Sequence, residues 1–233
     1  MSAPTRILLP PSEGKADGGD GPPWEPGSLA LPDLDRARSR VLRVLGRTGP
    51  RRDPTMPAID RYTGVLYREL DAASLPATAR RRLHRSTLIV SGLWGAVAPA
   101  DPVPAYRLKM SASVAPLGKL STWWRPQLTG ALRPWTKGAV VWDLLPNEHA
   151  AAIDWTALAP RRRVTVRFLD RNGRTVSHWN KLLKGSIVRW LLEGGFPDAS
   201  DLADFDHPQG YRFDPAMSDL GADPAVVVLR ELG

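Results

Sequence analysis

Apolar residues recur along this chain in two rhythms, one suited to strands and one to helices. Compact apolar runs at residues 6–10, 87–90, 139–145 and 226–229 have the length and flanking residues of buried strands. Val164, Val166 and Phe168 alternate with Thr165 and Arg167, the period-2 pattern of a half-buried strand. Asn172-Gly173 then suits a type I′ turn, with a return strand predicted over residues 175–177. Spacings of three and four mark helices instead. Leu34, Ala37, Val41, Leu42 and Leu45 predict a helix over residues 33–45, with Asp33 as its N-cap and Gly46 as its stop. Trp179, Leu182, Leu183, Ile187, Trp190 and Leu191 form the clearest stripe, over residues 178–193, and Gly194-Gly195 ends it. Further helices are predicted over residues 57–70 (with a turn at Gly64), 77–84, 123–132 and 147–158.

The elements do not alternate as clean βαβ units, and no repeat or heptad is present. The pattern therefore predicts an α+β or irregular mixed α/β fold in a single domain over residues 1–233, long enough for a sizeable core. Residues 11–32 are rich in Gly and Pro and predict a long loop, a length that is usually functional or disordered. No apolar run approaches the ~20 residues of a membrane span, and the N-terminus lacks the apolar region of a secretory signal. There is no cysteine, which excludes disulfides, thiolate metal sites and thiol catalysis. A cytoplasmic protein with no membrane partner is expected.

Charge changes this picture. The formal net charge is +8, which biases the chain toward anionic partners such as nucleic acid, nucleotides or phosphorylated small molecules. Arg51-Arg52, Arg80-Arg81-Arg82 and Arg161-Arg162-Arg163 form a nucleic-acid footprint only if folding brings them onto one face. The nine tryptophans fall at core-like spacing and read as core before they read as stacking platforms.

Several short stretches carry candidate chemistry. Pro10-Pro-Ser-Glu-Gly-Lys15 follows the first strand; it reads either as an anion cradle built of backbone N–H groups and the Lys15 ammonium, or as a surface turn with a solvated lysine. Ser91-Gly92-Leu-Trp-Gly95 reads as a second anion loop, as an imperfect helix-hairpin-helix turn, or as a plain turn needing positive φ at Gly92 or Gly95. In Tyr106-Arg107-Leu108-Lys109-Met110, an extended backbone puts Arg107 and Lys109 on one face, with Arg107 as a planar donor for phosphate or carboxylate. Asn147 suits a helix N-cap and Glu148 its first turn, a placement equally suited to acid–base chemistry. On the last long helix, Lys181 and Lys184 lie opposite the apolar stripe, Gly185 and Ser186 add little, and Arg189 lies at its flank. His84, His149, His178 and His207 form no ligand cluster, so neither a metal nor a cofactor is expected.

Six blocks in order resemble the YaaA family of bacterial peroxide-stress proteins. They are PPSEGK at residues 10–15, RYTG at 61–64, LIVSGLWGAVAPADPVPAYRLKM at 88–110, LPNEHAAAI at 145–153, HWNKLLKGSIVRWLL at 178–192, and QGYRF at 209–213. Ala98 stands where an arginine is common, and His149 where a tyrosine is. The resemblance implies a DNA-binding protein of the peroxide-stress response, with an unusual α/β fold, a helix-hairpin-helix element and a basic cleft. Carried over by position, the matching polar residues are Lys15, Ser91, Tyr106, Arg107, Glu148, Lys181, Lys184 and Arg189, with Gly92 in the hairpin. DNA binding is then expected to be electrostatic and largely independent of sequence. A lysine, a tyrosine and a glutamate together also suit an enzyme acting on a nucleotide, nucleobase or other small anion. In that reading Glu148 is the acid/base, Lys15 and Arg107 bind the anion, and Tyr106 completes the catalytic set.

Overall fold

The computed structural model describes residues 3–46, 50–176, 180–196 and 198–231. In chain order the elements are β1 (Thr5–Leu9), α1 (Asp35–Leu45), β2 (Met56–Pro57), α2 (Ala58–Arg61), α3 (Val65–Leu70), α4 (Ala77–Ser86), β3 (Thr87–Ser91), β4 (Gly95–Val97), β5 (Pro102–Val103), β6 (Ser113–Val114), β7 (Gly118–Lys119), α5 (Leu120–Thr136), β8 (Val140–Asp143), α6 (Asn147–Ala150), α7 (Trp155–Leu158), β9 (Arg162–Leu169), α8 (Asn180–Glu193), β10 (Tyr211–Phe213) and β11 (Ala225–Glu231).

Seven strands form one sheet in the order β10-β11-β9-β8-β1-β3-β4. β3, β1, β8, β9 and β11 run parallel to their neighbours in that series, and only the edge strands β4 and β10 are antiparallel. The fold is mixed α/β around a mostly parallel sheet, not an α+β arrangement with its strands and helices segregated. Ile7, Leu8 and Leu9 of β1 and all five residues of β3 are buried in succession, as expected of strands covered on both faces. α8 packs on α3 and α4, while α5 packs on α7 and β4.

The strand order reverses beside β1. From β1 the chain crosses to β3 on one side; from β3 and its hairpin it returns through α5 to β8 on the other. Crossovers that leave a strand in opposite directions open a crevice at the carboxyl ends of the two strands, here β1 and β8. The loops after β1 and β8 both emerge at that edge, beside the end of β3.

The long loop after β1 is ordered by one buried arginine. Arg61 is fully buried, and its guanidinium donates to the carbonyls of Ala16, Gly18, Pro54 and Val103. The loop also pairs with the segment around Arg61 through Ala16 N–H to Arg61 O, Thr63 N–H to Gly14 O, and bridges Lys15↔Tyr62 and Gly21↔Thr55. Asp101 closes its far end by accepting from Ala30 N–H and Ala98 N–H. Arg38 plays a like role from α1, donating to Trp94 O, Ala96 O, Ala30 O and Leu31 O and pairing with Asp35 at 2.7 Å.

Several expectations are corrected locally. Asp33 lies in a short 3-10 turn, Pro32–Leu34, and makes no side-chain cap; the helix begins at Asp35, and Gly46 ends it at φ 57°. Residues 147–158 form two short helices, because Asp154 accepts from Ala157 N–H and starts a second one. Pro146, not Asn147, is the residue preceding the first of these. The expected return strand shrinks to the bridge Leu169↔Thr175, because Asp170 Oδ1 accepts from both Asn172 N–H and Arg174 N–H and holds the turn locally. Ser177, His178 and Trp179 lie outside the described residues. α5 runs past its predicted limits, through Pro126 and Pro134.

Candidate functional site

The PPSEGK loop leaves β1 at Leu9 and turns back at once. Ser12 Oγ donates to Gly14 O, and Tyr67 Oη donates to Pro10 O at 2.8 Å. Gly64 lies so close to Ser12 that a Cβ there would meet Ser12 Cβ at 2.6 Å, so the RYTG block clamps this loop from below. Lys15 is thereby turned inward. Its Nζ donates to Ser12 O at 2.9 Å and lies 4.3 Å from the Tyr106 ring centroid and 5.5 Å from that of Tyr62. Burial lowers its pKa to about 8, helped by Arg107 and Arg61 and opposed by a weaker pull from Glu13.

Beneath the lysine runs a buried chain of hydroxyls. Ser91 Oγ accepts from Leu93 N–H and Trp94 N–H, both at 3.2 Å. Both lone pairs are then used, so its own proton goes to Tyr106 Oη, 2.6 Å away, and Tyr106 donates in turn to Tyr62 Oη at 2.8 Å. Burial raises Tyr62 well above the usual phenol range and Tyr106 to about 12, so both stay protonated. Ser91 and Gly92 thus act from inside. The turn from Ser91 to Gly95 joins two antiparallel strands and is buried throughout, so it is not the hairpin between two helices expected there. Its positive φ is at Gly95, 72°, whereas Gly92 is small because a Cβ would meet Leu108 O and Lys109 C at 2.9 Å.

That close approach fixes residues 106–110 against the turn. The segment pairs with no strand, yet its alternation survives: Tyr106 and Met110 are buried, Arg107 and Lys109 exposed. Lys109 Nζ reaches Glu13 Oε1 at 2.9 Å. The Glu13 carboxyl is held low first by that Lys109 contact, with further pulls from Lys181 and Lys15. The loop after β8 completes the group. Glu148 is half-exposed, 3.8 Å from His149 Nδ1, and adds to the pull that raises Lys109. Lys184 was expected on a solvated face of its helix, but it turns inward and donates to Leu144 O at 2.8 Å; burial lowers it to about 8 against Asp143 and Glu148. Asp143 itself is paired with Arg163 at 2.6 Å. His149 is buried and lowered to about 4, chiefly by that burial, and is neutral at pH 7.

The structure therefore gathers Lys15, Arg107, Lys109, Lys181 and Lys184, with Glu13 and Glu148, at the switch-point edge of the sheet. Arg189 is elsewhere. It donates to Leu70 O, Asp71 O and Ser74 Oγ and pairs with Glu193 at 2.8 Å, clamping α8 to the end of α3. There it lines a separate depression of about 290 Å³ with Glu69, Ser186 and His207. α8 and α3 approach tightly at Gly185, where a Cβ would meet Leu66 O and, at 2.8 Å, Glu69 Cβ, and Ser186 Oγ donates to Glu69 Oε1. The arginine triplets are partly engaged: Arg80 and Arg82 donate to backbone carbonyls, Arg162 to Leu220 O, and Arg163 to Asp143. Sequence reasoning missed Glu13, Lys109 and Tyr62 as members of the group. The alternation of residues 106–110 pointed to Lys109; nothing local pointed to the other two. Among the described residues no three His, Asp or Glu side chains are placed to hold a metal ion, and no helix is long and apolar enough to cross a membrane.

Most of the chain is similar to known proteins. The family model described as peroxide stress protein YaaA matches residues 33–217. A UPF0246 protein of Streptomyces coelicolor is 41% identical over 216 residues, covering 81% of this chain and 83% of that protein. A UPF0246 protein of Corynebacterium glutamicum is 34% identical over 212 residues, covering 79% and 84%, and one of Flavobacterium johnsoniae is 32% identical over 169 residues, covering 70% and 66%. With the match extending across most of its length, this chain belongs to the YaaA family of peroxide-stress proteins.

Proposed function

We propose that this chain binds DNA through its phosphates, at the cationic edge formed by Lys15, Arg107, Lys109, Lys181 and Lys184, and serves the peroxide-stress response for which its family is named. One observation carries the reading: cations from three distant parts of the sequence meet at the switch-point edge of the sheet, and Arg107 and Lys181 have no hydrogen-bond or ion-pair partner among the described residues. The edge is open. The Lys109 and Glu13 side chains are 72% and 77% exposed, which suits a long polyanion lying across the surface better than a small substrate enclosed in a pocket. The contact is not routed through a helix-hairpin-helix, because the Ser91–Gly95 turn is buried between strands. No base-reading element is assigned, so affinity is independent of sequence.

The test is fluorescence anisotropy with a labelled random duplex. Binding is expected at 50 mM salt and falls steeply by 200 mM, with a log–log slope near −0.9 per phosphate neutralised, about −4.5 if each of the five cations meets one phosphate. A protein that does not bind the duplex at 50 mM salt overturns the reading.

A second reading is chemistry at the same edge. It is favoured by Lys15, an inward lysine poised near neutrality over two buried tyrosines. Glu148 supports it less, because it stands half-exposed among cations.

A further inference from the structure

We propose that Lys15 Nζ is an amine nucleophile that condenses with an aldehyde or ketone carbonyl on a phosphate-bearing ligand, forming an imine. This rests on the reading that the cationic edge binds phosphate, and it adds what the bound ligand meets there.

The geometry points to a lysine held in place without a salt bridge, still mostly protonated at pH 7 but close enough to neutrality to supply free amine. Glu13, two residues before Lys15, pairs with Lys109 at 2.9 Å and exerts on Lys15 an opposing pull weaker than burial. The only hydrogen bond Lys15 makes among the described residues is to Ser12 O, which accepts from an amine as well as from an ammonium. Its remaining surroundings are the faces of Tyr106 and Tyr62, with the cations Arg107 and Arg61 nearby. Desolvation next to other cations is how a lysine is activated for carbonyl chemistry. With its pKa near 8, Lys15 holds roughly two orders of magnitude more free amine at pH 7 than an ordinary lysine. Lys184 is lowered equally but lies over Leu144 O beside Asp143 and Glu148, two carboxylates that stabilise its ammonium form. The bound tyrosine rings cannot drift, because Ser91 anchors Tyr106 and Tyr106 anchors Tyr62. Arg107 and Lys109 stand on the solvent side of Tyr106, where a phosphate attached to the carbonyl compound would dock.

The step balances without an oxidant or reductant. The Lys15 lone pair forms the C–N bond while the carbonyl π pair moves to oxygen. Nitrogen loses one proton and oxygen gains one, giving a carbinolamine. A second proton on that oxygen lets the C–O bond break; water leaves, and a protonated imine remains on Nζ.

The experiment traps that imine with cyanoborohydride, whose hydride converts it to a stable secondary amine. Three probes are offered to the full chain: 2-deoxyribose 5-phosphate, 2-deoxyribose, and a duplex containing an aldehydic abasic site. A duplex with a tetrahydrofuran abasic analogue, which has no aldehyde, reports binding alone. Peptide mass spectrometry is expected to place the adduct on Lys15. The phosphorylated sugar is expected to react roughly tenfold faster than the plain sugar or more, the effect of at least one charge-assisted contact to phosphate. The rate is expected to rise with pH through about 8. An adduct from the sugar phosphate alone assigns a free sugar phosphate as the ligand; an adduct from the duplex assigns DNA; either supports the imine. Binding of the tetrahydrofuran duplex with no adduct from any probe, or an adduct spread over surface lysines or placed on Lys184, overturns the nucleophile and leaves the phosphate reading standing. Equal rates for both sugars with no retention of the tetrahydrofuran duplex overturn the phosphate reading and the substrate class with it. Because the adduct is mapped on the parent protein, the result does not depend on Lys15→Met folding.

Discussion

At the scale of single residues, the side chains that organise this edge are mostly not those that face solvent. Ser91 shows this best. Its hydroxyl serves two backbone N–H groups and Tyr106 at once, so Ser91→Ala leaves three buried polar groups short of a partner. At about 1–3 kcal/mol for each unsatisfied group, partly relieved by relaxation, the loss is expected to be about 2–4 kcal/mol, read as a lower urea midpoint with an unchanged m-value. An unchanged midpoint would show that the hydroxyl chain is not formed. His149 makes a different prediction. Its folded pKa of about 4 lies below the 6.5 of the unfolded chain, so between those values the unfolded state binds the extra proton. Stability is therefore expected to fall as pH drops from 6.5 toward 4, by on the order of 3 kcal/mol at most, and His149→Gln should flatten that limb in thermal melts. The sequence named His149 as a departure from the family pattern and as one of four histidines that form no ligand cluster. It could not show burial, because an imidazole in the first turn of a helix is as often wet as dry. Arg61 and Arg38 were illegible for the same reason: an arginine spaced among apolar residues looks like a solvated flank until the carbonyls it gathers are known.

At the scale of elements, two glycines set distances that the spacing of apolar residues could not reveal. The pattern showed where α8 begins to bury its stripe, yet Gly185 looked idle within it. Its role lies in what it lacks, because α3 passes where a Cβ would be. Gly185→Ala gains helix propensity of about 1 kcal/mol, but it must push Leu66 O, Glu69 and Leu70 outward. Overpacking of this kind costs about 1–3 kcal/mol, so a net loss of stability is expected, with α8 and α3 exchanging amide hydrogens faster together. Gly92→Ala tests the other contact. Its Cβ would meet backbone of residues 108–110, which cannot rotate away, so the segment carrying Arg107 and Lys109 must shift. Weaker duplex binding with a lower melting temperature is expected; lost stability with full affinity would show that the shift does not reach the cationic edge. The strands in the parallel core were legible because each is a short apolar run or, for β9, an alternating one. The order in which they pair was not, and the switch point beside β1 follows only from that order. The short strands β2, β5, β6 and β7 carry too few residues for any periodicity to show.

At the scale of the whole molecule, the question is where a net charge of +8 acts. Composition spreads it along the chain, and the arginine triplets draw the eye first. The structure divides these cations into two populations. Arg38, Arg61, Arg80, Arg82 and Arg189 hold carbonyls together and spend donors on the protein itself. Arg107 and Lys181, with Lys109 in its exposed pair with Glu13, present theirs to solvent at the end of a parallel sheet, where the loops after β1 and β8 converge. If the second population binds phosphate, two pairs of substitutions that remove equal charge must behave differently. Lys109→Gln with Lys181→Gln is expected to lower duplex affinity and to make the salt slope shallower by about 1 for each lost phosphate contact. Arg81→Gln with Arg161→Gln removes two exposed triplet arginines from outside the edge and is expected to leave both quantities unchanged. Titrations at several salt concentrations separate these outcomes, because a diffuse electrostatic effect of net charge would weaken both double variants alike. Equal losses in the two would move the binding surface off the switch-point edge, and with it the reason for Lys15 to be turned inward there.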